Sequence, residues 1–207
     1  MTDRDLVRLY WPVELRPAFD ALFGIDDALA DVVTSSTQPA LGAIRLAWWR
    51  EALERLDTKS PPPEPRLKAI ASELLPKGIS GKEIAALEDG WATLLDERPD
   101  SERIGRRGAT LFRIAGTLLG GSDDRLEAAG RLFGHGQLVR KGLITRQSDA
   151  ELLQLLAGHR FSKVLRPLTA LARLAARDAR HDSAIEPDAT PGRAAALLSH
   201  RLFGTVV

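Results

Sequence analysis

Ile44-Arg45-Leu46-Ala47-Trp48-Trp49-Arg50-Glu51-Ala52-Leu53 decides the fold class. Leu41, Ile44 and Trp48 recur at steps of three and four residues, and so do Leu46, Trp49, Leu53 and Leu56. Each series follows the period of an α-helix, and the alternation a half-buried strand would show is absent. Two apolar faces on one helix predict neighbours packed on both sides. Adjacent tryptophans project about 100° apart at about 3.6 residues per turn, so they do not face the same pocket and read as large core residues.

Working outward, the same period fills the chain, and its punctuation predicts a series of helices. Pro12 and Pro17 stand near the start of a first long helix reaching about Ser35. Thr37-Gln38-Pro39 opens the helix just described, with proline in the first turn where its missing N–H costs nothing. Lys59-Ser60-Pro61-Pro62-Pro63-Glu64-Pro65 ends it and reads as a stiff connection. A helix over 66–75 stops at Pro76-Lys77-Gly78, and Ser80 with Glu83 forms a capping box for the next, to about Leu95. Further helices are predicted from Ser101 to Leu119, after Gly120-Gly121-Ser122 with Asp124 and Glu127 in capping-box spacing, and after Ser148 with Glu151. The last two cover 161–180 and, beyond a polar loop at 181–189, Thr190-Pro191 to about Leu202. Ala, Leu, Arg and Glu dominate, all good helix formers, and aromatic residues are 5% of the chain. The expectation is one all-α domain over residues 1–207, a bundle with short connections.

Composition narrows the function classes. A hydrophobic fraction of 44% and a charged fraction of 28% fit a globular chain. Net charge is +1, from 29 basic and 28 acidic residues, so no bulk field draws in nucleic acid. The chain has no cysteine, which excludes disulfides, thiol chemistry and Cys-ligated metals. There is no run of 18 uncharged apolar residues, so no transmembrane segment is expected; peripheral membrane contact stays open. Met1-Thr2-Asp3-Arg4-Asp5 carries no basic-then-apolar leader, and a cytoplasmic location is expected.

Three aspartates draw attention in Phe23-Gly24-Ile25-Asp26-Asp27-Ala28-Leu29-Ala30-Asp31. Asp27 and Asp31 are four apart, one above the other on a helix, a spacing able to chelate a divalent cation. The helical wheel places them opposite the stripe Leu15, Phe19, Leu22, Leu29 and Val33, on the face where solvent is the default. Asp26 falls within that stripe. It is either an inward ligand whose partner position holds Ala30, or the partner of an arginine across the bundle, since an unpaired buried charge is very costly. Gly116-Thr117-Leu118-Leu119-Gly120-Gly121 lacks the strand and the Lys-Ser/Thr of a phosphate loop, and reads as small residues for close packing followed by a helix stop. His135, His159, His181 and His200 show no paired metal spacing. Arg106-Arg107, and Arg140-Lys141 with Arg146, read first as solvated faces, second as sites for a diphosphate or an acidic partner.

Pro12-Val13-Glu14-Leu15-Arg16-Pro17-Ala18-Phe19-Asp20-Ala21-Leu22-Phe23, the acidic cluster after it, and Arg45-Leu46-Ala47-Trp48-Trp49-Arg50-Glu51-Ala52-Leu53 together resemble the squalene/phytoene synthase family. Gly108-Ala109-Thr110-Leu111-Phe112-Arg113-Ile114-Ala115-Gly116 looks like the segment before that family's second acidic helix. The resemblance implies an all-α, isoprenoid (terpenoid) synthase-like bundle with a central cavity. It also implies head-to-head condensation of prenyl diphosphates by Mg²⁺ held between two aspartate-rich motifs. The departure is specific. Where the second motif belongs, the chain reads Gly134-His135-Gly136-Gln137-Leu138-Val139-Arg140-Lys141, and from Ala128 to Arg146 there is no Asp or Glu.

Three functions follow from that comparison. The first is a non-catalytic member, a pseudoenzyme similar to the family's branch of respiratory complex I assembly factors, with no cofactor and a protein partner. The second is a Mg²⁺-dependent prenyltransferase of isoprenoid biosynthesis, in which Asp26, Asp27 and Asp31 supply metal ligands and Arg45, Arg140 and Lys141 receive diphosphate. The third is a carrier of a polyprenyl or quinone-like lipid.

Overall fold

Prolines and caps decide where the helices of this chain begin. The computed structural model describes residues 2–146, 148–180 and 185–207, and all of its regular structure there is helical. Helix α1 (Asp3–Arg8) precedes the first predicted helix and starts at a capping box of Thr2 and Asp5. A 3₁₀ turn over Val13–Leu15 leads into α2 (Arg16–Ser35), with Pro17 in its first turn. Then come α3 (Pro39–Arg55), α4 (Pro65–Glu73), α5 (Gly81–Ala85), α6 (Leu87–Ala92) and α7 (Ser101–Leu119). The chain closes with α8 (Leu126–Arg140), α9 (Ala150–Leu156), α10 (Arg166–Arg180) and α11 (Pro191–Phe203). No helix among the described residues is long and apolar enough to cross a membrane.

Most predicted boundaries hold; α10 starts at Arg166 rather than 161, and three other predictions differ. The Ser80–Glu83 capping box forms, but the predicted helix to Leu95 divides into α5, α6 and a 3₁₀ turn over Thr93–Leu95. Asp124 and Glu127 form no box; instead Asp123 accepts a hydrogen bond from the Arg125 N–H, and α8 starts without a side-chain cap. Ser148 and Glu151 likewise form none: Asp149 stands at the N-cap of α9, and its carboxylate turns to His135, 2.8 Å away. The predicted loop 181–189 and His181 lie partly or wholly outside the described residues.

The core is one continuous cluster in which α7 and α8 lie closest. A Cβ on Gly108 would come within 2.1 Å of the Gly130 carbonyl oxygen, and one on Gly130 within 2.5 Å of the Gly108 oxygen. The two backbones therefore meet where neither carries a side chain. Phe19 and Phe23 on α2 stack on Trp11, and Phe133 on α8 meets both Phe23 and Phe112 on α7. Gly120, at φ +70°, ends α7 in the left-handed conformation, and the Gly121 N–H reaches back to the Gly116 carbonyl.

Helix α3 departs from its predicted surroundings. Leu46, Trp49 and Leu53 are buried, whereas Leu41, Ile44 and Trp48 stand 52%, 66% and 49% exposed. The helix packs against α5, α6 and α2, and its other apolar face stands exposed among the described residues.

Two substitutions separate close approach from open space. Gly108→Ala is expected to destabilise by about 3 kcal/mol or more, because a backbone carbonyl blocks the new methyl. Gly24→Ala, inside α2 with nothing within 4 Å of the new Cβ, is expected to stabilise by about 0.5–1 kcal/mol. Urea denaturation of both variants checks the pair.

Two buried histidines give opposite pH dependences. Burial works against a charged His135, but the Asp149 carboxylate and the Ser101 carbonyl outweigh it and raise its pKa above 6.5. Its contribution is complete below the unfolded-state pKa and is lost as pH rises through the folded value. Burial holds His200 below 6.5, against a hydrogen bond to the Thr205 carbonyl and helped by Arg173 and Arg166. That contribution is present above the unfolded-state pKa and is lost as pH falls through the folded one. His135→Asn should therefore flatten the alkaline side of the melting-temperature profile and His200→Asn the acidic side.

Candidate functional site

Asp26 and Arg107 meet at the centre of the bundle, where neither side chain is exposed to solvent. Arg107 Nη1 donates to both carboxylate oxygens, at 2.7 and 2.9 Å, and Trp91 Nε1 donates to Oδ1 at 2.8 Å. Arg107 Nη2 donates to Gln137 Oε1 at 2.7 Å and to the Gly134 carbonyl at 3.3 Å. The amide of Gln137 lies 3.5 Å from the second Asp26 oxygen. The guanidinium also lies over the Trp91 ring, 4.2 Å from its centroid, a cation–π contact in a desolvated setting.

Local structure puts each group there. Asp26 projects from the apolar stripe of α2, and Arg107 occupies the same position on α7, in register with Ile104, Leu111, Ile114 and Leu118, all buried. Gly90 makes the approach possible, since a Cβ there would lie 2.4 Å from Arg107 Cβ. Gly134 and Gln137 bring α8 to the far side of the guanidinium. Of the two alternatives for Asp26, the structure takes the arginine across the bundle. Both Asp26 oxygens are engaged, so a cation binding there has to displace Arg107.

Next to this cluster a cavity of about 320 Å³ opens between α1, α2, α8 and α10. Gln137 borders both. Phe133, Leu171 and Leu174 form an apolar wall, and Asp27, Arg140 and Lys141 lie on the polar side. The volume is at the low end of the roughly 300–1,000 Å³ typical of small-molecule sites. Asp27 is half-buried and paired with Arg4. Arg140 binds Asp178 at 3.0 Å and also pairs with Asp188. Arg193 is buried and bonds Asp178 and Asp3 at 2.5 and 2.6 Å. Burial opposes its charge, yet these carboxylates overcome it and raise its pKa above the ordinary arginine value. Through Asp3 this network fastens α1 to the bundle.

The residues singled out from the sequence are thus divided. Asp27, Arg140 and Lys141 share one cavity, with Asp26 directly behind it. Asp31 is exposed on the outside of α2, 3.6 Å from Arg66, and Arg45 is exposed with its guanidinium 3.3 Å from the Ser35 hydroxyl. Neither lines the cavity. Among the described residues no group of three or more His, Cys, Asp or Glu is placed to hold a metal ion. Arg107, read from the sequence among solvated basic groups, is the residue that reading missed. The signal was its position on the apolar stripe of α7.

Comparison with protein-family models, with curated proteins and with solved structures finds no match to this chain.

Removing one member of a buried pair leaves the other charged in a low-dielectric interior, which typically costs about 3–5 kcal/mol. Arg107→Met is expected to destabilise by that amount. Asp26→Leu combined with Arg107→Met should recover most of it, which a double-mutant cycle in urea measures.

Proposed function

We propose that this chain is a non-catalytic protein of the squalene/phytoene synthase type, built on an isoprenoid synthase-like bundle and acting as a binding or assembly factor. The observation that carries this reading is the guanidinium of Arg107 between Asp26 and Gln137. In the resemblance, the first metal motif is Asp27 with Asp31 or a pairing through Asp26, whose partner position holds Ala30, and Gln137 lies in the turns where the second belongs. A fixed positive charge therefore takes the place in which that chemistry needs Mg²⁺ to stabilise a departing diphosphate. A cavity of about 320 Å³ supports the same conclusion, being sized for one small ligand rather than two prenyl diphosphates. The exposed Leu41, Ile44 and Trp48 on α3 supply an apolar face of the kind through which binding proteins meet partners. Respiratory complex I is the specific partner complex the resemblance offers.

The apolar wall of Phe133, Leu171 and Leu174 favours a second reading, a carrier of a single isoprenoid or quinone-like lipid. Lipid co-purified with the protein and identified by mass spectrometry would establish it.

Thermal unfolding with farnesyl diphosphate, with and without Mg²⁺, tests the main proposal. Ligand at about a hundred times its dissociation constant adds about 2.7 kcal/mol. No Mg²⁺-dependent shift and no condensation product are expected. A shift that needs both metal and diphosphate, with turnover abolished by Asp27→Ala, would overturn the proposal in favour of the prenyltransferase. Deleting the gene and finding complex I assembly unchanged would remove the complex I version alone.

A further inference from the structure

Charge on this protein is unevenly partnered. At least thirteen arginines among the described residues form ion pairs with carboxylates, Arg107, Arg140 and Arg193 included. Yet there is no Asp or Glu from Leu152 to Arg177, nor from Ala189 to Val207. The structure brings these two acid-free stretches together where α10 begins and α11 ends. Between them and Tyr10 lies a second pocket, of about 480 Å³, lined by Lys163, Arg166 and Arg201 and, among the described residues, by no carboxylate.

The three cations have different commitments. Arg166 donates to the Phe161, Arg201 and Leu202 carbonyls at 2.9–3.1 Å, and so neutralises the negative end of α11. Arg201 lies over the Tyr10 ring, 4.9 Å from its centroid, and Lys163 is exposed. Neither Lys163 nor Arg201 has a carboxylate within 4.0 Å among the described residues. His200, bonded to Thr169 and Thr205, forms part of the floor.

Exposed apolar residues neighbour the mouth along the chain. Leu202 lines it and is 62% exposed; Leu198, one turn earlier on α11, and Phe203 beside it are also exposed. Leu9 adjoins Tyr10 and is exposed. Unpaired cations beside exposed aliphatic and aromatic groups suit a ligand that is anionic at one end and embedded in hydrocarbon at the other.

We propose that this pocket docks the protein on a bilayer surface, with Lys163 and Arg201 holding the phosphate of an acidic phospholipid while Leu9, Leu198, Leu202 and Phe203 enter the interfacial layer. A net charge of +1 supplies no general attraction to such a surface, so binding depends on this local field and weakens as salt screens it. The site is separate from the Asp26–Arg107 cluster and does not depend on the function proposed above.

Vesicle co-sedimentation of the full chain tests it, using phosphatidylcholine alone and phosphatidylcholine mixed with phosphatidylglycerol. Binding is expected to the mixed vesicles only. It should fall about fivefold for each of Lys163→Gln and Arg201→Gln, and also for Leu202→Ser, with melting temperatures unchanged. Lys59→Gln with Lys68→Gln removes twice the charge of either variant elsewhere and should leave binding intact. Equal binding to neutral vesicles, equal loss in the Lys59/Lys68 control, or no loss in Lys163→Gln and Arg201→Gln would overturn the proposal. So would glycerol 1-phosphate stabilising the protein against heat while mixed vesicles fail to sediment it, which would assign the pocket to a soluble phosphate ester.

Discussion

An aspartate and an arginine with no access to solvent fix the arrangement of this bundle. The Asp26 carboxylate on α2 and the Arg107 guanidinium on α7 pair with one another, and Trp91 on α6 and Gln137 on α8 add further hydrogen bonds. Four helices therefore have to arrive at one point in one register, because a shift of any of them strands a charge in the interior. Hydrophobic burial supplies most of the driving force for such a bundle, but it is non-directional. The directional requirement comes from this cluster.

The cluster in turn requires missing side chains. Gly90 leaves the space that Arg107 occupies, and Gly108, Gly130 and Gly134 let α7 and α8 approach until their backbones touch. A glycine in a helix interior costs about 0.5–1 kcal/mol relative to alanine. At these positions that cost is offset by packing which no larger residue permits. The same closeness leaves the centre filled, and the remaining space lies to one side, in a small cavity whose charged residues are largely paired.

Away from the centre the surface is sorted. Its acidic residues pair with arginines over most of the molecule, while the end formed by Tyr10, the start of α10 and the end of α11 gathers cations that lack carboxylates. A second unsatisfied surface is the outer face of α3, where Leu41, Ile44 and Trp48 stand in solvent although their spacing matches that of a packed face. A helical period reports which residues share a side of a helix and not whether anything covers that side. Only the neighbouring helices decide it, and among the described residues α3 has them on one side alone.

Periodicity, prolines and caps fixed the helical class of this chain and most of its helix boundaries, since those depend on residues within a turn or two of one another. Asp26 stood out for the same reason, as a charge on an apolar stripe. The sequence could state that it needed a partner, but not which arginine supplied it: Arg107 lies 81 positions away, and position on a stripe carries no information about what faces it. The short α1 has a local capping box at Thr2 and Asp5, but a helix of six residues is marginal alone, and what ties it to the bundle is Asp3 reaching Arg193, 190 positions along the chain. Asp149 faced His135 rather than its own helix for the same reason. Spacing along the chain determined the helices. Which side chains meet, which cations stay unpaired and which apolar faces stay bare were decided by tertiary packing, because burial and charge pairing are properties of neighbours in space.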